Sequence, residues 1–226
     1  MDSVTQAALG AAIGGAIAPA GQRRKALLVG AALGTLPDLD VLIDYGDAVA
    51  NFTYHRGFSH SLFVLTPFVL LLWLALRRWW APVREAPWRW LAIIGLALIT
   101  HPLLDAHTAY GTQLLWPLTV PPTMWATLFI IDPLFTLPLL VGAVIAAAWP
   151  ARRWSGRVIR SCVLLSTLYL GWSWTAQSII AHHTDEVLAE NGLQGAPVFI
   201  TPTPVSYTHL RAHETVVRIS YAVFCL

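Results

Sequence analysis

From Gly57 to Leu76, twenty consecutive residues carry no Lys, Arg, Asp or Glu. A helix needs about 20 such residues to cross the hydrocarbon of a bilayer. The run ends abruptly at Arg77-Arg78-Trp79-Trp80. The whole chain shares this character: 56% of residues are hydrophobic, 12% are charged and the mean hydropathy is +0.60. A soluble domain carries roughly 25% charged residues. Trp79, Trp80, Trp88, Trp90, Trp149 and Trp154 fall at the edges of apolar segments, where amphipathic rings favour the headgroup level. The pattern predicts an all-α, polytopic helical membrane protein. With only Cys162 and Cys225, a disulfide framework and a CxxC metal knuckle are both excluded.

Residues 4–20 are small and apolar, with Gly10, Gly14 and Ala18 at four-residue spacing, and residues 26–36 repeat the pattern with Gly30 and Gly34. Such spacing makes a smooth face on which a second helix can approach closely. Both segments are shorter than a full span, so a tight pair of short helices is expected. Met1-Asp-Ser-Val-Thr-Gln lacks the basic start of a cleaved signal peptide, so the first segment is expected to be retained. Residues 41–56 read as a polar connection, 91–104 as a further apolar run and 107–127 as a turn-rich interfacial loop. Spans are expected at 128–149, broken by Asp132-Pro133 and Pro138, and at 161–181. A membrane-embedded unit over 1–181 would lead into an extramembrane segment at 182–204. Residues 205–226 match nothing earlier and read as a non-native tail.

Eleven of the fourteen Lys and Arg residues lie in three stretches, Arg23–Lys25, Arg77–Arg89 and Arg152–Arg160. If these face the cytoplasm, alternation of spans puts the His and Asp clusters together on the other side. Basic residues confined to short loops give no footprint for nucleic acid.

Those clusters carry the chemistry. His101 and Asp105 are four apart and share a helix face, a spacing suited to two ligands of one ion or to a His–Asp hydrogen bond closing the helix. His55 and His60 flank Arg56-Gly57, where glycine permits a turn that brings both imidazoles inward; two headgroup-level histidines are the plainer reading. Arg56 suggests an anion such as phosphate in front of them, and Ser59 is a candidate cap for the next helix. Asp38 and Asp40 follow Pro37, either as paired carboxylates neutralised by a cation or, for Asp40, as a helix cap. Asp132 would bind the metal, orient a ligand histidine or pair with Arg56. Together these residues suit zinc or a similar divalent ion, one or two per chain. His107, His182, His183, His209 and His213 stand outside the pattern.

The ordered motifs resemble a known family of bacterial inner-membrane, LexA-regulated metal-dependent hydrolases. The resemblance rests on Met1-Asp-Ser-Val-Thr-Gln-Ala-Ala-Leu-Gly10, Gly34-Thr-Leu-Pro-Asp38-Leu-Asp40, His55-Arg-Gly-Phe-Ser-His60-Ser and Thr100-His101-Pro-Leu-Leu-Asp105. It continues through Tyr110-Gly-Thr-Gln-Leu and Ile131-Asp132-Pro-Leu-Phe-Thr-Leu-Pro to Thr201-Pro-Thr-Pro204. That family is distantly similar to zinc-dependent phospholipases C and nucleases. The resemblance implies Asp38, His55, His60, His101 and Asp105 as metal ligands, with Asp40 and Asp132 as further candidates, and hydrolysis of a phosphoester or related ester. The expected catalytic residues are Arg56, steadying the anion, and Asp40 or Asp132 as base. It also implies a multi-pass protein of the inner membrane, its partners the surrounding lipids and a small-molecule or lipid substrate. Gly15 stands where relatives carry Glu, and relatives continue past Pro204, so the chain reads as truncated. The contrasting expectation is a non-catalytic transporter or envelope-stress factor that uses the same cluster for structural metal or proton coupling.

Overall fold

The computed structural model describes residues 1–47, 51, 55–196, 198–202, 210–213 and 218–221, the last two segments by backbone alone. Thr53, Tyr54 and most of the expected tail lie outside the described residues. The protein is 71% helical. Its helices are α1 (Ser3–Ile17), α2 (Arg23–Thr35), α3 (Leu62–Trp79), the short α4 (Ala81–Glu85), α5 (Pro87–Ala106), α6 (Pro133–Ala148) and α7 (Arg153–Glu190). Two helices are long and apolar enough to cross a membrane, α3 and α5. A small antiparallel sheet follows, β1 (Phe199–Pro202), β2 (Leu210–His213) and β3 (Arg218–Tyr221) in that order.

Glycine makes the α1–α2 pair. A Cβ on Gly10 would lie 2.0 Å from the Gly30 carbonyl oxygen, and one on Gly14 would lie 2.1 Å from that of Ala26. The backbones touch, which only residues without side chains allow. Asp2 caps α1 by accepting from the amides of Val4 and Thr5, both at 3.0 Å. α5 is the central post: Trp90, Ile93, Ile94, Ala97 and Leu98 are enclosed among α2, α3 and the short α4. α3 instead turns Phe63, Leu70, Leu71 and Leu74 outward, as a lipid-facing helix does. A second core joins α1, α6 and α7 through Ala8, Ala12, Phe135, Leu139 and Ile159.

Several expectations are corrected. Trp90 is fully buried, its indole N–H donating to Gln22 Oε1 at 2.7 Å, whereas Trp79 and Trp88 are exposed. The helix expected from 128 begins at Pro133, with Asp132 as its N-cap rather than inside it. Proline at the first helical position and Asp before it is a start signal that the apolar flanks obscured. Ser61, not Ser59, caps α3, its hydroxyl accepting from the Phe63 amide at 3.2 Å. α7 runs unbroken past residue 182 to Glu190.

Candidate metal centre

The ends of three elements meet beside the α1–α2 pair. Asp38 comes from the 3-10 turn Leu36–Leu42, which Pro37 starts after α2. His60 closes the 3-10 turn Phe58–His60 before α3. His101 and Asp105 lie one turn apart in the last stretch of α5. Ligand atoms of these four residues all lie within 4.8 Å of one another. His60, His101 and Asp105 are fully buried, while the Asp38 side chain retains 18% exposure and forms the open edge.

The donor spacing suits a small cation. His60 Nε2 and His101 Nε2 are 3.0 Å apart. Asp38 Oδ1 is 3.3 Å from His101 Nε2 and 3.5 Å from His60 Nε2, and Asp105 Oδ2 is 3.5 Å from His60 Nε2. Donors at the corners of a tetrahedron about zinc, with bonds near 2.0–2.1 Å, stand about 3.3 Å from one another.

Hydrogen bonds behind the rings decide which nitrogens carry lone pairs. His101 Nδ1 is 2.5 Å from the Gly34 carbonyl oxygen, which can only accept, so Nδ1 holds the proton. Ser59 Oγ donates to Asp40 Oδ2 at 2.5 Å and therefore accepts from His60 Nδ1 at 2.8 Å. In their neutral form both imidazoles would aim Nε2 lone pairs at each other and at two carboxylate oxygens. Four converging lone pairs repel unless a proton or a metal ion sits among them.

Asp40 is the buried anchor of this arrangement rather than one of the four. Its Oδ2 also accepts from the Arg56 amide at 3.0 Å, and its Oδ1 lies 2.9 Å from His55 Nδ1. Burial pushes the Asp40 carboxyl up, but the bonds from His55, Ser59 and the Arg56 amide outweigh it and hold it below the usual carboxylate range. Burial likewise raises Asp38, but hydrogen bonds from the His101 and His60 rings, followed by their charge when protonated, outweigh it and leave Asp38 well below that range. Both carboxylates remain anionic. Ser59→Ala removes the acceptor that sets the His60 tautomer; the expected result is a metal affinity about 10–100-fold weaker, read by titration with a competing chelator, with helical content unchanged.

His55 stands apart from the four. Its ring remains 31% exposed and pairs with Asp40, with its centroid 6.2 Å from that of His60. The reason is Arg56, whose φ of 64° reverses the chain and points its neighbours in different directions. Contacts on both sides hold that backbone: Asp40 takes the Arg56 amide, and the Gln113 amide donates to the Arg56 carbonyl at 3.1 Å. The Arg56 side chain turns inward, its Nε 3.1 Å from Asp105 Oδ2 and its guanidinium 5.5 Å from the Tyr110 ring centre. Its buried Nη1 has no hydrogen-bond partner among the described residues. Asp132 caps α6, accepting from the Leu134 amide at 3.0 Å and from the Tyr169 hydroxyl at 2.9 Å.

Two contributors lie within the Met1–Gly10 motif but outside the expected set of site residues. Gln6 is buried on α1 and donates Nε2 to Asp105 Oδ1 at 2.9 Å and to the His101 carbonyl at 3.1 Å. The Met1 amino group also pairs with Asp105 Oδ1. A glutamine inside an otherwise small, apolar helix was the available signal, since polar side chains within apolar segments tend to serve a site. His107, by contrast, is a structural pin: its Nδ1–H donates to the Leu103 carbonyl at 2.8 Å and Nε2 accepts from the Trp174 indole at 3.2 Å.

The chain has relatives among known proteins. It is 38% identical over 94 residues to the inner membrane protein YbcI of Escherichia coli (strain K12), an alignment covering 40% of this chain and 53% of that protein. The chain therefore matches about half the length of that curated relative. No solved structure matches. A family model described as YdjM inner membrane protein matches residues 1–180. An all-α membrane protein whose small-residue helix pair, central post and His/Asp centre all fall inside that match, the chain belongs to the YdjM family of bacterial inner membrane proteins.

Proposed function

We propose that this protein is a membrane-bound, metal-dependent hydrolase acting on a phosphoester or a related ester, with Asp38, His60, His101 and Asp105 holding a divalent ion. The observation that supports this reading is the pair of imidazoles whose Nδ1 atoms are engaged behind the rings so that their Nε2 atoms face each other at 3.0 Å beside two carboxylates. Two imidazoles with two carboxylates suit zinc better than calcium or magnesium, which favour all-oxygen shells. A bound divalent ion supplies Lewis acidity, acidifying a coordinated water and neutralising charge on a phosphoryl or acyl oxygen.

The protein's own groups supply the rest. Asp38, at the open edge, faces the side from which a substrate would enter. Arg56 carries, beside Asp105, a buried Nη1 with no hydrogen-bond partner among the described residues, suited to an anionic oxygen of the substrate. Asp40 acts as a positioning residue, holding His60 through Ser59. Arg56→Gln is therefore expected to keep the metal and to lower kcat/KM on a chromogenic phosphodiester about 100-fold, as read by steady-state kinetics with metal content measured in the same preparation. Equal rates for the variant and the wild type would remove Arg56 from catalysis.

One observation favours a second reading. Four protein donors are enough to close a tetrahedral shell, the mark of a structural rather than a catalytic zinc site. Metal-loaded protein that hydrolyses phosphodiester, phosphomonoester and carboxylester reporters no faster than chelator-treated protein would favour that non-catalytic role.

A further inference from the structure

At the opposite end of the bundle the structure holds a second charged feature that the metal reading does not use. Arg89 lies in the first turn of α5 and Asp105 in its last, about 24 Å apart along the helix axis at 1.5 Å per residue. Around Arg89 a cavity of about 710 Å³ is lined by Arg23, Arg89, Arg153, Arg157 and Arg160, together with the turn Ala16–Ala20. No carboxylate lines it. Among the described residues none of the five arginines forms an ion pair. Glu85 is engaged elsewhere, accepting from Gln22 Nε2 at 2.7 Å.

Two of these guanidinium groups are held in place by neutral groups. Arg23 is buried, and its Nη1 donates to the Pro150 carbonyl at 2.5 Å and to Ser155 Oγ at 3.0 Å. Its Nε is buried with no hydrogen-bond partner among the described residues. A side chain on Gly156 would come within 2.5 Å of Arg23 Nη2, so glycine there leaves the space the guanidinium occupies. Arg160 is fixed by its Nε–H donating to the Gly156 carbonyl at 3.0 Å. Carbonyls orient the two cations without neutralising them. Concentrated positive charge, pre-oriented and uncompensated, calls for an anion.

The surroundings say which anion. The wall formed by Ala16–Ala20 is apolar and small, so the cavity is amphipathic. Beside the α5 and α7 ends that carry the arginines are the exposed indoles of Trp88, Trp149 and Trp154, side chains that mark the headgroup level of a bilayer. Beyond them α7 exposes Leu164, Leu165 and Leu168, a surface along which acyl chains can lie. Basic pockets between membrane helices are suited to phosphate headgroups. We infer that this cavity binds the headgroup of an anionic phospholipid, one or two phosphodiester groups seated among the five arginines. The site is independent of the metal centre.

The test is thermal unfolding of the full chain in non-ionic detergent, with phosphatidylglycerol, cardiolipin, phosphatidylcholine, inorganic phosphate or pyrophosphate added separately. The anionic lipids are expected to raise Tm saturably and phosphatidylcholine to leave it unchanged. Arg89→Gln combined with Arg157→Gln, both at exposed positions, should weaken the anionic-lipid effect about tenfold or more while Tm in detergent alone stays the same. Equal shifts with phosphatidylcholine, or an unaltered lipid response in the double variant, would overturn the inference. Stabilisation by phosphate or pyrophosphate without any from lipid would assign the cavity to a soluble anion and overturn it as well. If the double variant does not fold, the wild-type comparison of lipids still decides.

Discussion

Gly30→Ala is expected to destabilise the protein by about 2–3 kcal/mol or more, within and beyond the usual cost of overpacking. A methyl group there would lie 2.1 Å from the Gly10 carbonyl oxygen and 2.8 Å from its carbon. Those are backbone atoms of a helix and cannot rotate aside as a side chain can. Relief requires α1 and α2 to separate along their whole contact. Gly10 and Gly34 would lose their mutual approach, and the Gly34 carbonyl would move from His101 Nδ1. Metal affinity should fall together with stability, because the same carbonyl that ends the glycine stripe fixes the imidazole tautomer. Gly171→Ala is the matched control: a Cβ there meets nothing within 4 Å, so the change should be neutral or stabilising by up to about 1 kcal/mol through helix propensity. Thermal unfolding in detergent reads both. A Gly30→Ala protein as stable as Gly171→Ala would mean that α1 and α2 do not touch backbone to backbone.

His60→Ala is expected to weaken metal binding by more than the 10–100-fold typical of losing a ligand's supporting hydrogen bond, because it deletes a donor. It is also expected to cost less than the glycine change in the apo state. Where both rings are neutral, removing one relieves the repulsion of facing lone pairs between His60 and His101 at 3.0 Å. The buried space the ring leaves works against that relief. The expected pattern is therefore large loss of affinity with modest change in apo stability, measured by chelator competition and by unfolding after metal removal. Loss of fold equal to loss of binding would indicate a purely structural histidine.

Spacing made part of this structure legible and local geometry hid the rest. The glycine stripes at residues 10, 14, 30 and 34 could be read because close helix approach needs an absence of side chains, and absence repeats visibly. His101 and Asp105 could be paired because a helix fixes what lies four residues away. His55 and His60 could not be separated by spacing. Which imidazole turns inward depends on the positive φ at Arg56, held by Asp40 and Gln113 from distant parts of the chain. Trp90 looked interfacial beside Trp79, Trp80 and Trp88, yet Gln22 gives its N–H a buried partner and draws it into the core. Gln6 joined the centre through contacts about a hundred residues away in sequence, signalled locally only by its polarity inside a small, apolar helix.

The central claim is that Asp38, His60, His101 and Asp105 together hold a divalent ion. The most direct test is elemental analysis of the wild-type chain, purified from cells without added metal or chelator and quantified against protein. The account predicts close to one transition-metal ion per chain, zinc foremost, retained through gel filtration and absent from His60→Ala prepared alongside. Folded wild-type protein carrying no stoichiometric metal, and taking up none from micromolar zinc, would contradict it.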